Sequence, residues 1–305
     1  MRTLLLLAML CFALSTARSA EPPAWKPESA DLLFMSGRDG NGEIYLLTGG
    51  EREWKNLTNH KSSDNWPGWS PDGKQIVFQS NRSGNLDIWT MNADGSNQVQ
   101  LTKDSQPDYL PDWSPDGKSI LFTSWRTEKE DEKRAPHIYL MNADGSGQRR
   151  LIAESLNTSA GATWSPDGKR IVFSRQTGKE GADLFVAGSD GKDEQRLTSD
   201  EAKDLYNGSP TFSPDGKSIA FYSASKTASA LEVMNADGTD RRTILAEGQN
   251  WYPRWSPDGG WLVYTAEAGD KKNIDVFAIA LTAGSTPVLL AGGEKREQEA
   301  SWRPK

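Results

Sequence analysis

The sequence is poor in the residues that anchor small secreted domains and many hydrolytic or metal-dependent enzymes. It holds one cysteine, Cys11, and two histidines, His60 and His137. Cys11 lies inside the N-terminal apolar run, so the rest of the chain cannot form a disulfide and must draw its stability from a packed core. Two histidines are too few for a histidine-rich metal site. No G-x-S-x-G nucleophile motif is present, which excludes the usual α/β-hydrolase signature. Long apolar runs are missing apart from Leu4 to Leu14, whose eleven residues fall short of the about 20 that span a bilayer. With Arg2 ahead of it and small residues at Ala17 to Ala20 behind it, this run reads as a secretory signal peptide over 1–19, cleaved after Ser19. Leu10 stands where a bacterial lipobox needs a small residue, which argues against a lipid on Cys11. Basic charge is also short. Beyond the signal, 33 basic residues face 42 acidic ones, a net charge of −9, which disfavours nucleic acid as a ligand.

What the chain has in abundance is a repeat. Ser-Pro-Asp-Gly occurs at Ser70, Ser114, Ser165, Ser213 and Ser256, at intervals of 44, 51, 48 and 43 residues, and a degraded copy around Trp302 ends the sequence. A period near 47 residues is the mark of a repeat architecture. Within one period, short runs such as Ile76 to Gln79 and Asp87 to Met91 are rich in β-branched and aromatic residues and bounded by Gly, Asn, Asp and Pro. That is how strands read. No amphipathic helical stretch of ten residues or more interrupts them, so each period supplies four strands. Ser-Pro-Asp-Gly itself reads as a type I turn, with φ preset by Pro and a left-handed residue supplied by Gly. Its Asp is expected to bond amides of its own turn rather than act in catalysis. Asn-Ala-Asp-Gly at Asn92, Asn142 and Asn235 repeats the same turn chemistry.

Four antiparallel strands per period, repeated, make blades of a β-propeller, a radial solution to exposed sheet edges. The second strand occurs six times, as LLFMS, IVFQS, ILFTS, IVFSR, IAFYS and LVYTA. The first copy lacks a strand ahead of it, and the last strand, near Trp302, lacks one behind. The expectation is an all-β, six-bladed β-propeller over 30–305, closed by the C-terminal strand pairing into the first blade, after a short linker at 20–29. Recurring Trp69, Trp113, Trp164, Trp255 and Trp302, with Phe212 in the remaining copy, are expected in the core. The ordered pattern P-x-W-S-P-D-G-K-x-I-x-F, then D-I-W-x-M-N-A-D-G-S and L-T, resembles the TolB-type β-propeller repeat family over nearly all of residues 30–305. The resemblance implies a periplasmic protein with protein partners in the cell envelope. The α/β domain that precedes the propeller in that family is not expected here, since only ten residues separate the signal region from the first blade.

Variable loops, such as the long charged one from Trp125 to His137, gather on one rim, and such a rim is the usual binding face of a repeat protein. At the start of the innermost strands stand Asp64, Asp108, Ser159, Asn207, Asn250 and Glu297, with Asn65, Trp66, Tyr109, Tyr206, Trp251, Tyr252 and Glu299 nearby. Aromatic and polar groups around a concave mouth suit a ligand. Asp64, Asn65, Trp66, Asp108, Tyr109, Tyr206, Asn207, Asn250, Trp251, Tyr252, Glu297 and Glu299 are therefore the candidate partner-binding residues. No catalytic, cofactor or metal residues are expected; calcium is the one cation that Asp64, Asp108 and Glu297 could hold. The reading is an exported, non-catalytic binding scaffold for a protein or peptide partner, monomeric, without a membrane span. The alternative is an exported lyase or hydrolase acting on a polysaccharide or peptide at the same mouth, which two convergent carboxylates would favour.

Overall fold

The computed structural model describes residues 26–27, 30–49, 53–128, 134–156, 161–177, 179–200, 205–246, 248–268 and 273–304. The expected signal peptide, most of the expected linker, Ser159 and the middle of the Trp125 to His137 loop lie outside the described residues. Strands dominate, and no α-helix occurs among the described residues. In chain order they are β1 (Leu32–Ser36), β2 (Glu43–Leu47), β3 (Trp54–Asn56), β4 (Asp64–Trp69), β5 (Gln75–Ser80), β6 (Asp87–Asn92), β7 (Val99–Gln100), β8 (Asp108–Trp113), β9 (Ser119–Ser124), β10 (His137–Asn142), β11 (Arg149–Arg150) and β12 (Ala162–Trp164). They continue as β13 (Arg170–Gln176), β14 (Ala182–Gly188), β15 (Gln195–Arg196), β16 (Tyr206–Phe212), β17 (Ser218–Ala224), β18 (Ser229–Asn235), β19 (Arg242–Leu245), β20 (Asn250–Trp255), β21 (Trp261–Ala268), β22 (Asn273–Ala280), β23 (Val288–Ala291) and β24 (Glu297–Trp302).

These strands pair as four-stranded antiparallel units: β4 to β7, β8 to β11, β12 to β15, β16 to β19 and β20 to β23. The remaining unit joins the two ends of the chain, because β24 pairs antiparallel with β1 from Leu32↔Trp302 to Ser36↔Glu297. A single parallel pair, Ala182↔Tyr206, links two neighbouring units.

The near-continuous apolar runs of the second strands have a packing reason. Successive side chains on a strand point to opposite faces, and both faces here meet a neighbouring unit. Ile76 and Phe78 pack back against Leu33 and Ile44, whereas Val77 packs forward with Ile120 and Phe122. Leu32 and Phe34 in turn pack with Val263, Val276 and Ala278 of the last unit. The core is thus a series of layers between units, and each fully buried aliphatic or Phe side chain in it is worth about 1.5–3 kcal/mol relative to exposure. Trp69, Trp113, Phe212 and Trp302 are buried in these layers as expected, and Trp164 and Trp255 are partly buried against them.

The turn chemistry holds in detail. The Gly73 amide donates to the Ser70 carbonyl at 2.8 Å, and Asp72 accepts from the Ser70 hydroxyl at 2.7 Å and the Lys74 amide at 3.1 Å. The same bonds recur at Asp116, Asp167, Asp215 and Asp258. Bonds to the ionised carboxylate, the one from Ser70 foremost, hold Asp72 below its usual range.

Candidate functional site

The first strand of each unit, β4, β8, β12, β16, β20 and β24, touches the first strand of the next, and β24 touches β4. Strands β4, β8, β16 and β20 each carry a local irregularity. Pairing slips between Asn65 and Gly68, Tyr109 and Asp112, Gly208 and Thr211, and Trp251 and Arg254. At the slip the backbone takes a left-handed φ at Trp66 (54°), Leu110 (56°), Ser209 (47°) and Tyr252 (56°), and Glu299 of β24 follows at 60°. A bulge of this kind re-aims a side chain. Trp66, Leu110, Ser209 and Tyr252 accordingly line one cavity of about 90 Å³, together with Gly161, Tyr206, Tyr222, Asp112 and Arg254.

The aromatic part of the wall is continuous. Trp66 meets Tyr252 edge to face at 4.8 Å, Tyr252 meets Tyr222 at 6.0 Å, and Tyr222 stacks on Tyr206 at 6.0 Å. Gly208 makes room for this, because a Cβ there would stand 2.4 Å from the Tyr222 ring. Burial raises the Tyr252 phenol to about 12, with the nearby Glu299 charge adding to it. Glu299 lies behind the wall, where its Oε2 accepts the Trp66 amide at 2.8 Å. Burial pushes its carboxyl up to about 7, against the stabilising bond from Trp66.

Two opposite charges line this cavity, Asp112 on β8 and Arg254 on β20. Asp112 Oδ2 accepts the Trp164 amide at 3.1 Å. Burial raises its carboxyl to about 6, and the charge of Arg254 and the Trp164 bond pull the other way. Arg254 is half-buried, its Nη1 is buried without a hydrogen-bond partner, and burial lowers its pKa.

Of the residues picked from the sequence, Trp66, Tyr206 and Tyr252 come together in the cavity. The polar residues at the strand starts do not reach it; they are buried and bonded around it. Asp64 accepts Arg82 Nη2 at 2.6 Å, and Asp108 pairs with Arg126. Burial raises the Asp108 carboxyl against the opposing charge of Arg126. Asn207 donates to the Ala182 carbonyl and to Asp200, and Asn250 donates to the Ser229 carbonyl. Glu297 stands 3.7 Å from Arg38, and burial raises it to about 7. Tyr109 is buried, with its hydroxyl accepting Trp125 Nε1 at 2.8 Å. Asn65 and Trp251 are half-buried outside the cavity lining. Among the described residues no three His, Cys, Asp or Glu gather as a metal site.

The residues that sequence reasoning missed are Leu110, Asp112, Gly161, Ser209, Tyr222 and Arg254. A signal for several of them is present: Trp66, Leu110, Ser209 and Tyr252 each precede a proline. Asp112 and Arg254 each precede the core Trp, where other repeats carry Gly68, Thr163, Thr211 or Ser301. A charge at an otherwise small or neutral position was the available clue.

Comparison with known proteins adds three findings. Residues 14–130 and 90–305 match the TolB beta propeller domain. Among curated relatives, the Tol-Pal system protein TolB of Haemophilus ducreyi is 32% identical over 97 residues, which is 30% of this chain and 23% of that one. Dipeptidyl-peptidase 5 of Porphyromonas endodontalis is 34% identical over 127 residues, 38% of this chain and 18% of that enzyme. The chain therefore spans under a quarter of the length of either relative. The crystal structure of TolB from Acinetobacter baumannii superposes with a TM-score of 0.77 at 21% identity, covering 92% of this chain and 68% of that one.

Proposed function

The chain belongs to the TolB β-propeller family, and on that footing we propose that it is a non-catalytic, exported binding scaffold of the periplasm whose protein or peptide partner docks over the channel mouth. The proposed organisation is a signal peptide at 1–19, a linker at 20–29 and a six-bladed ring at 30–305, in which β24 completes the first blade. The cycle of contacts among the first strands and the interlocking core layers support the ring. The scaffold acts as a monomer.

The observation that carries the binding reading is the set of left-handed, non-glycine residues around one aromatic cavity. Each such residue costs about 1–3 kcal/mol, and strain of this kind clusters at ligand sites and switches. Trp and Tyr are also the side chains that dominate interface energies. Against the lyase or hydrolase alternative stands the distribution of carboxylates. Asp112 alone of the described carboxylates lines the cavity, so the paired acid and base of glycosidase chemistry find no match there.

The test is capture of an envelope partner by the mature protein, followed by affinity measurement with the purified pair. Trp66→Ala and Tyr252→Ala should each cost about 2 kcal/mol or more of binding while the melting temperature hardly moves. Asp116→Asn, in a turn on the opposite rim, should leave affinity intact. Normal affinity in both aromatic variants would remove the cavity mouth as the docking site. Turnover of peptide or polysaccharide by the purified chain would favour the enzyme instead.

A further inference from the structure

Asp112 and Arg254 are the least explained pair in the molecule. The buried carboxylates at the strand starts have arginines of their own, as Asp64 has Arg82 and Asp108 has Arg126, whereas Asp112 has only the Trp164 amide. Asp112 and Arg254 share a cavity from opposite sides, yet no ion pair or hydrogen bond joins them, and Arg254 Nη1 is buried without an acceptor. A buried guanidinium nitrogen without an acceptor is expensive, and Asp112 answers it across the cavity without bonding it, so the arrangement invites a third party. We propose that the cavity binds a small zwitterion, a free α-amino acid whose carboxylate pairs with Arg254 and whose ammonium pairs with Asp112.

The charge balance selects this class. A simple anion would satisfy Arg254 but add negative charge beside Asp112, and a simple cation would do the reverse. A zwitterion alone satisfies both ends. Guanidinium and carboxylate match as a planar fork, which suits the α-carboxylate. On the other side, an ammonium beside Asp112 also gains from the faces of Trp66, Tyr252 and their neighbours, as cations do over aromatic rings. The size agrees as well. A cavity of about 90 Å³ is several times the roughly 10–15 Å³ that a single water needs, room for a small amino acid and too little for a folded peptide. Leu110, Pro111 and Pro210 supply apolar wall for a short side chain.

The site does not require a docked partner, so it is tested on the purified mature chain alone and its outcome is separable from that of partner capture. Calorimetric titration uses glycine, L-alanine and L-leucine beside two half-ligands, N-acetyl-L-alanine with the ammonium removed and L-alaninamide with the carboxylate removed. At least one amino acid should bind, with each half-ligand at least tenfold weaker than L-alanine. Arg254→Gln and Asp112→Asn, checked for native circular dichroism, should each weaken binding tenfold or more. If either variant fails to fold, the half-ligand series on the unaltered protein still decides. The proposal is overturned if no amino acid binds, if a half-ligand binds as well as L-alanine, or if folded variants keep full affinity. In the first of those cases the two charges are bridged by water alone.

Discussion

Two sets of positions in this chain enter the left-handed region once per repeat, and they do it with different residues. In the Ser-Pro-Asp-Gly turns the residue is glycine: Gly73, Gly117, Gly168, Gly216 and Gly259, with φ between 65° and 75°. In the bulges of the first strands it is Trp66, Leu110, Ser209, Tyr252 and Glu299, with φ between 47° and 60°. Glycine takes this conformation without a Cβ penalty, whereas other residues pay about 1–2 kcal/mol. The turns are therefore relaxed and the bulges are strained, although both recur through one architecture. The turns vary little because any repeat needs only the reversal. The bulge residues differ from repeat to repeat, and four of the five, Trp66, Leu110, Ser209 and Tyr252, bring different side chains to one cavity. That is the pattern of positions kept for something other than folding.

The most severe way to break the comparison is to loosen the scaffold that holds both sets. Trp302 is buried between the first and last units and ends the strand that joins the chain termini. Trp302→Ala should cost roughly 3–5 kcal/mol, a large part of the about 5–15 kcal/mol that a domain holds. A sharply lowered melting temperature is expected. An unchanged melting curve would mean that β24 contributes little, and the ring closure proposed above would fail with it.

How much of this was legible in the sequence follows the same division. The turns were readable because Ser-Pro-Asp-Gly carries its conformation locally: fixed φ at Pro, free φ at Gly, and an Asp within reach of its own amides. The core Trp positions were readable from period alone. The bulges were less so, because a slip in register exists only once two strands pair, and the proline after Trp66, Leu110, Ser209 and Tyr252 marks the place without saying what the side chain will face. The buried acids were misplaced for a related reason. Their partners are Arg82 and Arg126, each two residues after a Ser that binds it, Ser80 and Ser124. That Ser-x-Arg repeat, also present at Ser36 and Arg38, was the missed sign that these carboxylates would be occupied. Asp112 and Arg254 line one cavity from strands far apart in the sequence, which no local pattern encodes.

A gentler way to sharpen the comparison is pH, because the two regions hold carboxyls of opposite tendency. The Ser70 hydroxyl and the Lys74 amide lower Asp72, and the Ser114 hydroxyl and the Lys118 amide lower Asp116. A depressed carboxyl contributes stability above its ordinary 3.8, and that stability is lost as pH falls below it. Glu299 and Glu297 are raised by burial from 4.5 to about 7. Between those values the folded chain keeps protons that the unfolded chain has released, so stability falls as pH rises from about 4.5 to about 7. Denaturant titrations across that window should show the decline, and Glu299→Gln should remove part of it, because Glu297 and Asp112 still titrate. Asp116→Asn should leave it untouched and flatten only the acid limb. A decline that Glu299→Gln does not alter would mean that the mouth carboxyls are not what the window reports.

The smallest effect is the most direct contrast, an exchange of residue types between the two sets. At Gly117 a Cβ would meet nothing nearer than Pro71 Cγ at 3.5 Å, an ordinary contact, so Gly117→Ala changes only the conformational preference at φ 70°. It should cost about 1 kcal/mol. Ser209→Gly makes the opposite change at φ 47°. Releasing the left-handed penalty gains about 1–2 kcal/mol, and the extra freedom of glycine in the unfolded chain takes back about 0.4–1 kcal/mol, which leaves a net gain between about 0 and 1.6 kcal/mol. Chemical denaturation resolves changes of that size when the two variants are run beside the parent protein. If Ser209→Gly destabilises as much as Gly117→Ala does, the Ser209 side chain earns its place by bonding within the fold, and the bulge is no more strained than the turn. If Ser209→Gly stabilises the chain, the serine is held at this position against the preference of its own backbone.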